Sequence, residues 1–137
     1  MSIVLDSSVS LSWCFADELT DVTDALLEAV TSSGASAPSI WPLEVLNGLA
    51  MAERRGRIDA PKRQRLAGFL RDLPVVIDDE TASLAWTVTA QLAARFRLTL
   101  YDAAYLELAQ RRGLPLASLD QELRDAGTAL GISLLGK

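Results

Sequence analysis

The chain predicts an α/β protein: three layers, α/β/α, around a central, mainly parallel sheet of four to five strands. Three observations carry that prediction. Several apolar runs are too short for helices and are β-branched or bounded by turn residues, as in Ile3-Val4-Leu5 and Val75-Val76-Ile77. Other stretches place apolar residues at helical spacing. The two kinds mostly alternate along the chain, which is the pattern of a parallel sheet covered by helices on both faces.

Ser2 to Leu5 reads as a buried first strand, and Ser7 to Phe15 as a short helix leaving its end. Asp21 to Ser32 carries Val22, Ala25, Leu26, Ala29 and Val30 on one helical face, with Gly34 as its stop. Ala35 to Ser39 is a second strand candidate. Pro42 suits the first turn of a helix that runs through Leu46, Leu49 and Ala50 to about Arg55. Pro61 opens another helix, with Leu66, Phe69 and Leu70 on one side. Pro74 to Ile77 is a third strand and Thr81 to Phe96 a long, Ala-rich helix. Tyr101 to Arg112 has cations in its last turn and Gly113 after it, which is a helix ending. Leu114 to Leu119 is a fourth strand, Gln121 to Leu130 a helix and Ile132 to Leu135 a final strand. No repeat, low-complexity tract or linker divides residues 1–137, so a single domain is expected.

Composition narrows the chemistry. The chain has no His, which removes Ser-His-Asp and Cys-His catalysis and the usual zinc sites. Cys14, the single cysteine, sits in Trp13-Cys14-Phe15 and reads as a small buried hydrophobe. A net charge of −5 argues against holding nucleic acid by charge alone. No run approaches membrane-spanning length, and the N-terminus lacks the basic start of a signal peptide. The expectation is a cytoplasmic protein with no membrane partner.

Four carboxylates stand in apolar surroundings. Asp6 closes the first strand, Glu44 lies within Ile40-Trp41-Pro42-Leu43-Glu44-Val45-Leu46, Asp102 within Leu98 to Leu106, and Asp120 closes the fourth strand. A poorly hydrated carboxylate needs a cation or several hydrogen bonds, and none of the four has Lys or Arg within three residues. Asp6 and Asp120 sit at strand ends, Glu44 and Asp102 in the first turns of helices. In an open α/β sheet such positions face one crevice. An all-oxygen acidic site there suits Mg²⁺ or Mn²⁺, and metal-assisted phosphodiester hydrolysis is the matching chemistry.

Each acid also has an ordinary reading. Asp120 and Asp6 are placed to cap helices, Thr99-x-x-Asp102 resembles a capping box, and Glu44 is favoured by a helix dipole. Ser8, two residues after Asp6, and Asn47, three after Glu44, are candidates to orient the acids, as is Ser118; caps or packing explain them equally well. Asp78-Asp79-Glu80 reads as solvated or helix-starting charge. Trp13, Trp41 and Trp86 read as core or interface. The basic stretch Arg54, Arg55, Arg57, Lys62, Arg63 and Arg65 suits a phosphate backbone or, more simply, a solvated helix end and turn.

These residues resemble a family. Val4-Leu5-Asp6-Ser7-Ser8-Val9, Trp41 to Asn47, Leu100 to Ala109, and Leu116 to Asp120 followed by Leu130-Gly131-Ile132 are similar, in order and spacing, to the PIN-domain ribonucleases. They are closest to the VapC-type toxins of VapBC toxin–antitoxin pairs. The resemblance covers essentially the whole chain. It implies a PIN-like fold and a Mg²⁺- or Mn²⁺-dependent endoribonuclease, with Asp6, Glu44, Asp102 and Asp120 as catalytic and metal-binding acids. It also implies an RNA substrate, a VapB-like antitoxin and a homodimer.

Three competitors come from the residues. A haloacid-dehalogenase-type phosphotransfer enzyme also places Asp after a first strand, but needs a second Asp where this chain has Ser8. A receiver-type domain needs a phosphoacceptor Asp after a central strand and a late Lys, and Lys137 is the only late one. A catalytically silent module would keep the fold to pair with a protein partner.

Overall fold

The computed structural model describes residues 2–137. Five strands form one sheet: β1 (Val4–Leu5), β2 (Ala35–Ala37), β3 (Val75–Ile77), β4 (Leu116–Ala117) and β5 (Leu134–Leu135). Their order is β3-β2-β1-β4-β5, and every neighbouring pair is parallel. The expected sheet therefore has five strands and no antiparallel member.

The helices are α1 (Ser7–Ser12), α2 (Asp21–Ser33), α3 (Trp41–Arg54), α4 (Ala60–Arg71), α5 (Thr81–Leu84), α6 (Ala90–Phe96), α7 (Leu100–Arg112) and α8 (Gln121–Ala129). Right-handed crossovers fix where they go. From β1 to β2 to β3 the chain moves one way across the sheet, which sends α1 to α4 to one face. From β3 back over to β4 and β5 it moves the other way, which sends α5 to α8 to the opposite face. The helix contacts agree: α1 packs on α3 and α3 on α4, while α7 packs on α6, α8, β1 and β4.

Local chemistry sets the helix ends. Thr20 and Thr23 form a reciprocal cap that opens α2. Asp59 caps α4 and Thr99 caps α7. Gly113, at φ 62°, closes α7 in the left-handed conformation that disfavours side chains. The core lies between sheet and helices and includes the fully buried Val4, Leu5, Val9, Leu49, Tyr105, Leu106, Leu108 and Leu116. β1 and β4 are buried along their length, as expected for strands covered on both faces.

Two details differ from the sequence reading. The strands are shorter than their apolar runs, because pairing ends where each chain turns toward a helix. The long helix expected over Thr81–Phe96 is interrupted by a π-helical turn, Ala85–Thr89, between α5 and α6. Thr87, Val88 and Thr89 are β-branched and favour α-geometry weakly, which allows the wider turn. Trp86 on that turn is 87 % exposed and so is not a core residue, whereas Trp41 is buried. None of the described helices is long and apolar enough to cross a membrane.

Candidate functional site

The strand order reverses direction at β1 and β4, and a crevice opens at their C-terminal ends. Register aligns Leu5 with Ala117, and Ala117 with Leu135. Asp6 and Ser118 are the next residues out, so their side chains meet at the sheet's edge.

Asp6 is 3 % exposed and makes no N-cap hydrogen bond to α1. Its Oδ2 instead accepts from Ser8 Oγ at 2.6 Å and from Ser118 Oγ at 2.8 Å. Each serine is itself anchored. Ser8 Oγ accepts from the Leu119 amide at 3.0 Å, and Ser118 Oγ from the Asp120 amide at 3.1 Å. The two hydroxyls thus lock the β1 acid to the exit of β4. Ser8 and Ser118 are not caps.

Glu44 is half-buried in the first turn of α3. Ser10 Oγ donates to the Asp6 carbonyl at 3.2 Å and accepts from Trp41 Nε1 at 2.9 Å, which ties the start of α3 to α1. Tyr105, fully buried on α7, donates its hydroxyl to Glu44 Oε1 at 2.6 Å. Asn47 is exposed one turn further on and makes no side-chain hydrogen bond among the described residues.

Asp102 is half-buried in the first turn of α7, its amide donating to Thr99 Oγ1 at 3.1 Å. Asp120 caps α8, with Oδ1 accepting from the Leu123 amide at 3.1 Å. The ordinary capping role therefore holds for Asp120. One of its two oxygens does that work.

Electrostatics links the acids. Burial pushes the Asp102 carboxyl up, and repulsion from Asp6 and Asp120 adds to it, bringing it to about 6. Burial also raises Glu44; the Tyr105 hydroxyl opposes this, and repulsion from Asp102 adds to it. Asp6 is raised by burial, against the pull of the Ser8 and Ser118 hydroxyls, with Glu44 repelling it. The four carboxylates are thus near enough to feel one another. None of them forms an ion pair within 4.0 Å among the described residues. Arg124, one turn after Asp120, is committed elsewhere: Nη1 donates to the Ser118 and Leu135 carbonyls at 2.8 and 2.9 Å.

A second acidic group makes the contrast. Among the described residues, only Asp78, Asp79 and Glu80 bring three acidic oxygens within 4.8 Å of one another. Asp78 was expected to be solvated but is 2 % exposed. Arg111 reaches its Oδ2 at 2.7 Å and Glu80 at 2.8 Å, and Arg112 reaches Oδ1 at 3.3 Å. That group is already neutralised by two guanidinium ions. The basic stretch is partly spent as well, with Arg57 on Asp17 and Glu18 and Arg63 on Glu53.

The donor set at the crevice fits a hard divalent cation. It is all oxygen, it lacks a protein cation, and it is too open to form a closed cage. Mg²⁺ characteristically takes one or two carboxylates and keeps several waters. The residues that reading the sequence did not single out are Tyr105 and the Asp78–Arg111 pair. Tyr105 lies three residues after Asp102, so the two share a helix face, and that spacing was the available signal.

Comparison with known proteins agrees with this geometry. Three solved structures share the fold. PAE2754 from Pyrobaculum aerophilum is 22 % identical, with a TM-score of 0.68, and 96 % of each chain is covered. FitAcB from Neisseria gonorrhoeae is 15 % identical, with a TM-score of 0.67 over 99 % of this chain and 97 % of that one. VapBC2 from Rickettsia felis, solved bound to a DNA fragment from their promoter, is 13 % identical, with a TM-score of 0.67 over 99 % and 98 %. No curated protein matches in sequence. The PIN domain model matches residues 3–128, a span from the first strand through α8 that contains all four crevice acids, and the chain belongs to the PIN domain family.

Proposed function

We propose that this chain is a divalent-metal-dependent endoribonuclease, the toxin of a type II toxin–antitoxin pair, acting in the cytoplasm as a homodimer. PIN domains are nucleases, so hydrolysis of a phosphodiester is the starting point. One observation carries the reading: four mutually repelling carboxylates converge on the sheet's switch point without a protein cation. Such an arrangement is unfavourable unless a cation joins it. FitAcB and VapBC2 support the choice of an antitoxin partner, and Mg²⁺ or Mn²⁺ suits the oxygen donors.

Asp6, Asp102 and Asp120 would hold the metal, with Glu44 binding directly or through water. When bound, the ion supplies Lewis-acid activation of water and neutralises charge on the phosphoryl oxygens. The chain's own residues do the positioning. Ser8 and Ser118 donate to one oxygen of Asp6 and so leave the other for the crevice. Tyr105 does the same for Glu44. Asp102, at about 6, is ionised at neutral pH and available as a ligand. The net charge of −5 leaves little long-range pull on RNA, so binding rests on the crevice and on contacts with shaped or unpaired RNA.

The test is cleavage of cellular RNA by purified protein freed of any partner, with Mg²⁺, with Mn²⁺, with chelator, and with Asp6→Asn. Products that require metal and vanish in Asp6→Asn are expected. Cleavage that survives chelator or Asp6→Asn overturns the mechanism. A folded protein that neither cleaves RNA nor binds metal would instead be a partner-binding module.

A further inference from the structure

Of the four crevice acids, Glu44 has the longest side chain and the least obvious support. It stands near the mouth of the crevice, in the first turn of α3, flanked by Leu43, which is 72 % exposed. No cation pairs with it among the described residues. A glutamate so placed samples several rotamers in water. One contact stops that here: the Tyr105 hydroxyl, 2.6 Å from Oε1.

Tyr105 is unusually well placed for this. Its side chain is fully buried, so its ring has no freedom to follow Glu44 outward. A buried phenol must find a partner, and Glu44 is the hydroxyl's only hydrogen-bond partner in the structure. The residue comes from α7, the helix that carries Asp102, at a spacing of three. α7 is in turn packed on β1 and β4, the two strands that deliver Asp6 and Asp120. One rigid element therefore sets two of the four acids and rests on the strands that set the other two.

We infer that Tyr105 is the positioning residue for Glu44: its hydroxyl fixes one carboxylate oxygen and turns the other toward the crevice where a divalent cation binds. The inference rests on the metal-site reading above and extends it to a residue outside the acidic set. Groups that orient metal-binding side chains typically contribute about 10- to 100-fold to metal affinity. Because Glu44 is one acid among four, the lower end applies.

The experiment is direct Mn²⁺ binding to the folded protein, read as free Mn²⁺ by electron paramagnetic resonance, for wild type, Tyr105→Phe, Glu44→Gln and the double variant. Tyr105→Leu, which also fills the space without a hydroxyl, carries the same prediction if the Phe variant folds poorly. Tyr105→Phe should weaken Mn²⁺ binding about 10-fold. Once Glu44 is Gln, removing the hydroxyl should cause little further loss, since the two act through one ligand. A Tyr105→Phe protein that binds Mn²⁺ as wild type does, or losses that multiply independently in the double variant, would overturn the inference while leaving the metal site intact. Wild-type protein that binds no Mn²⁺ would overturn the metal site itself, and the role of Tyr105 with it.

Discussion

If the crevice acids are held together against their own repulsion, neutralising one should stabilise the apo fold while ending its proposed activity. Asp102→Asn is the sharpest case. Moving a carboxyl from 3.8 to about 6 corresponds to about 3 kcal/mol in favour of its neutral form. That is an upper bound, because the side chain is half-buried and salt screens its neighbours. The anion also gains roughly 0.3–1 kcal/mol from the N-terminal dipole of α7, which the variant gives up. A net stabilisation of about 1–2 kcal/mol remains, or about 3–8 °C in Tm for a chain of this size. The sign follows from linkage. A carboxyl raised in the folded state adds stability below its ordinary value of 3.8, and that stability is lost as pH rises through about 6. The variant's advantage should therefore be absent near pH 3.5, grow between about 4 and 6, and level off above. Urea or thermal unfolding with chelator at low salt reads it. Mg²⁺ should then narrow the gap by stabilising wild type alone. An Asp102→Asn protein less stable than wild type at pH 7.5 in chelator would refute the claim that repulsion and burial dominate at this position.

Two further outcomes follow from other sites. Arg111→Ala leaves the buried Asp78 and Glu107 short of a cation and should cost about 3 kcal/mol by urea unfolding, the low end of the range, since Arg112 still reaches Asp78. Burial pushes Asp78 up, but its hydrogen bonds to Arg111 and Thr81 and the Arg111 charge win and hold it below 3.8. The stability it adds is thus present above that value, and acid titration should remove it as pH falls further; an Arg111→Ala protein with unchanged acid unfolding would contradict this. Burial pushes the Cys14 thiol up to about 11, so alkylation at pH 8 should be slow in the folded chain and rapid in denaturant. Equal rates in the two states would mean the Trp13-Cys14-Phe15 segment opens readily.

Much of the architecture was legible because local and global preferences agree. Apolar runs bounded by Gly, Pro and polar residues became strands, and the caps at Thr99 and Asp120 are the helix starts that the spacing implied. Less legible was anything set by distant partners. Val75-Val76-Ile77-Asp78 has the same form as Ile3-Val4-Leu5-Asp6: an apolar run, a closing acid, and no Lys or Arg within three residues. Nothing local separates them. What does is Arg111, thirty-three residues away, whose guanidinium reaches Asp78 and not Asp6. The role of Tyr105 was hidden for a related reason. In sequence it is one more apolar residue in a buried helix, and its value depends on where α3 ends up.

The two acidic groups show how one fold handles the same electrostatic problem in two ways. Asp78 leaves β3, an edge strand, and meets the C-terminal end of α7, where arginines are favoured by the helix dipole and long enough to reach back. Asp6 leaves β1, the central strand, and meets the N-terminal ends of α7 and α8, where the dipoles favour acids over bases. Helix direction thus brings cations to one strand end and carboxylates to the other. In a parallel sheet each helix returns so that the next strand can run the same way, so its N-terminus lies by the C-terminal ends of the strands. The crevice at β1 and β4 collects acids that no nearby side chain is placed to neutralise. A charge imbalance built into the topology in this way is met most simply by a small, hard cation from solution.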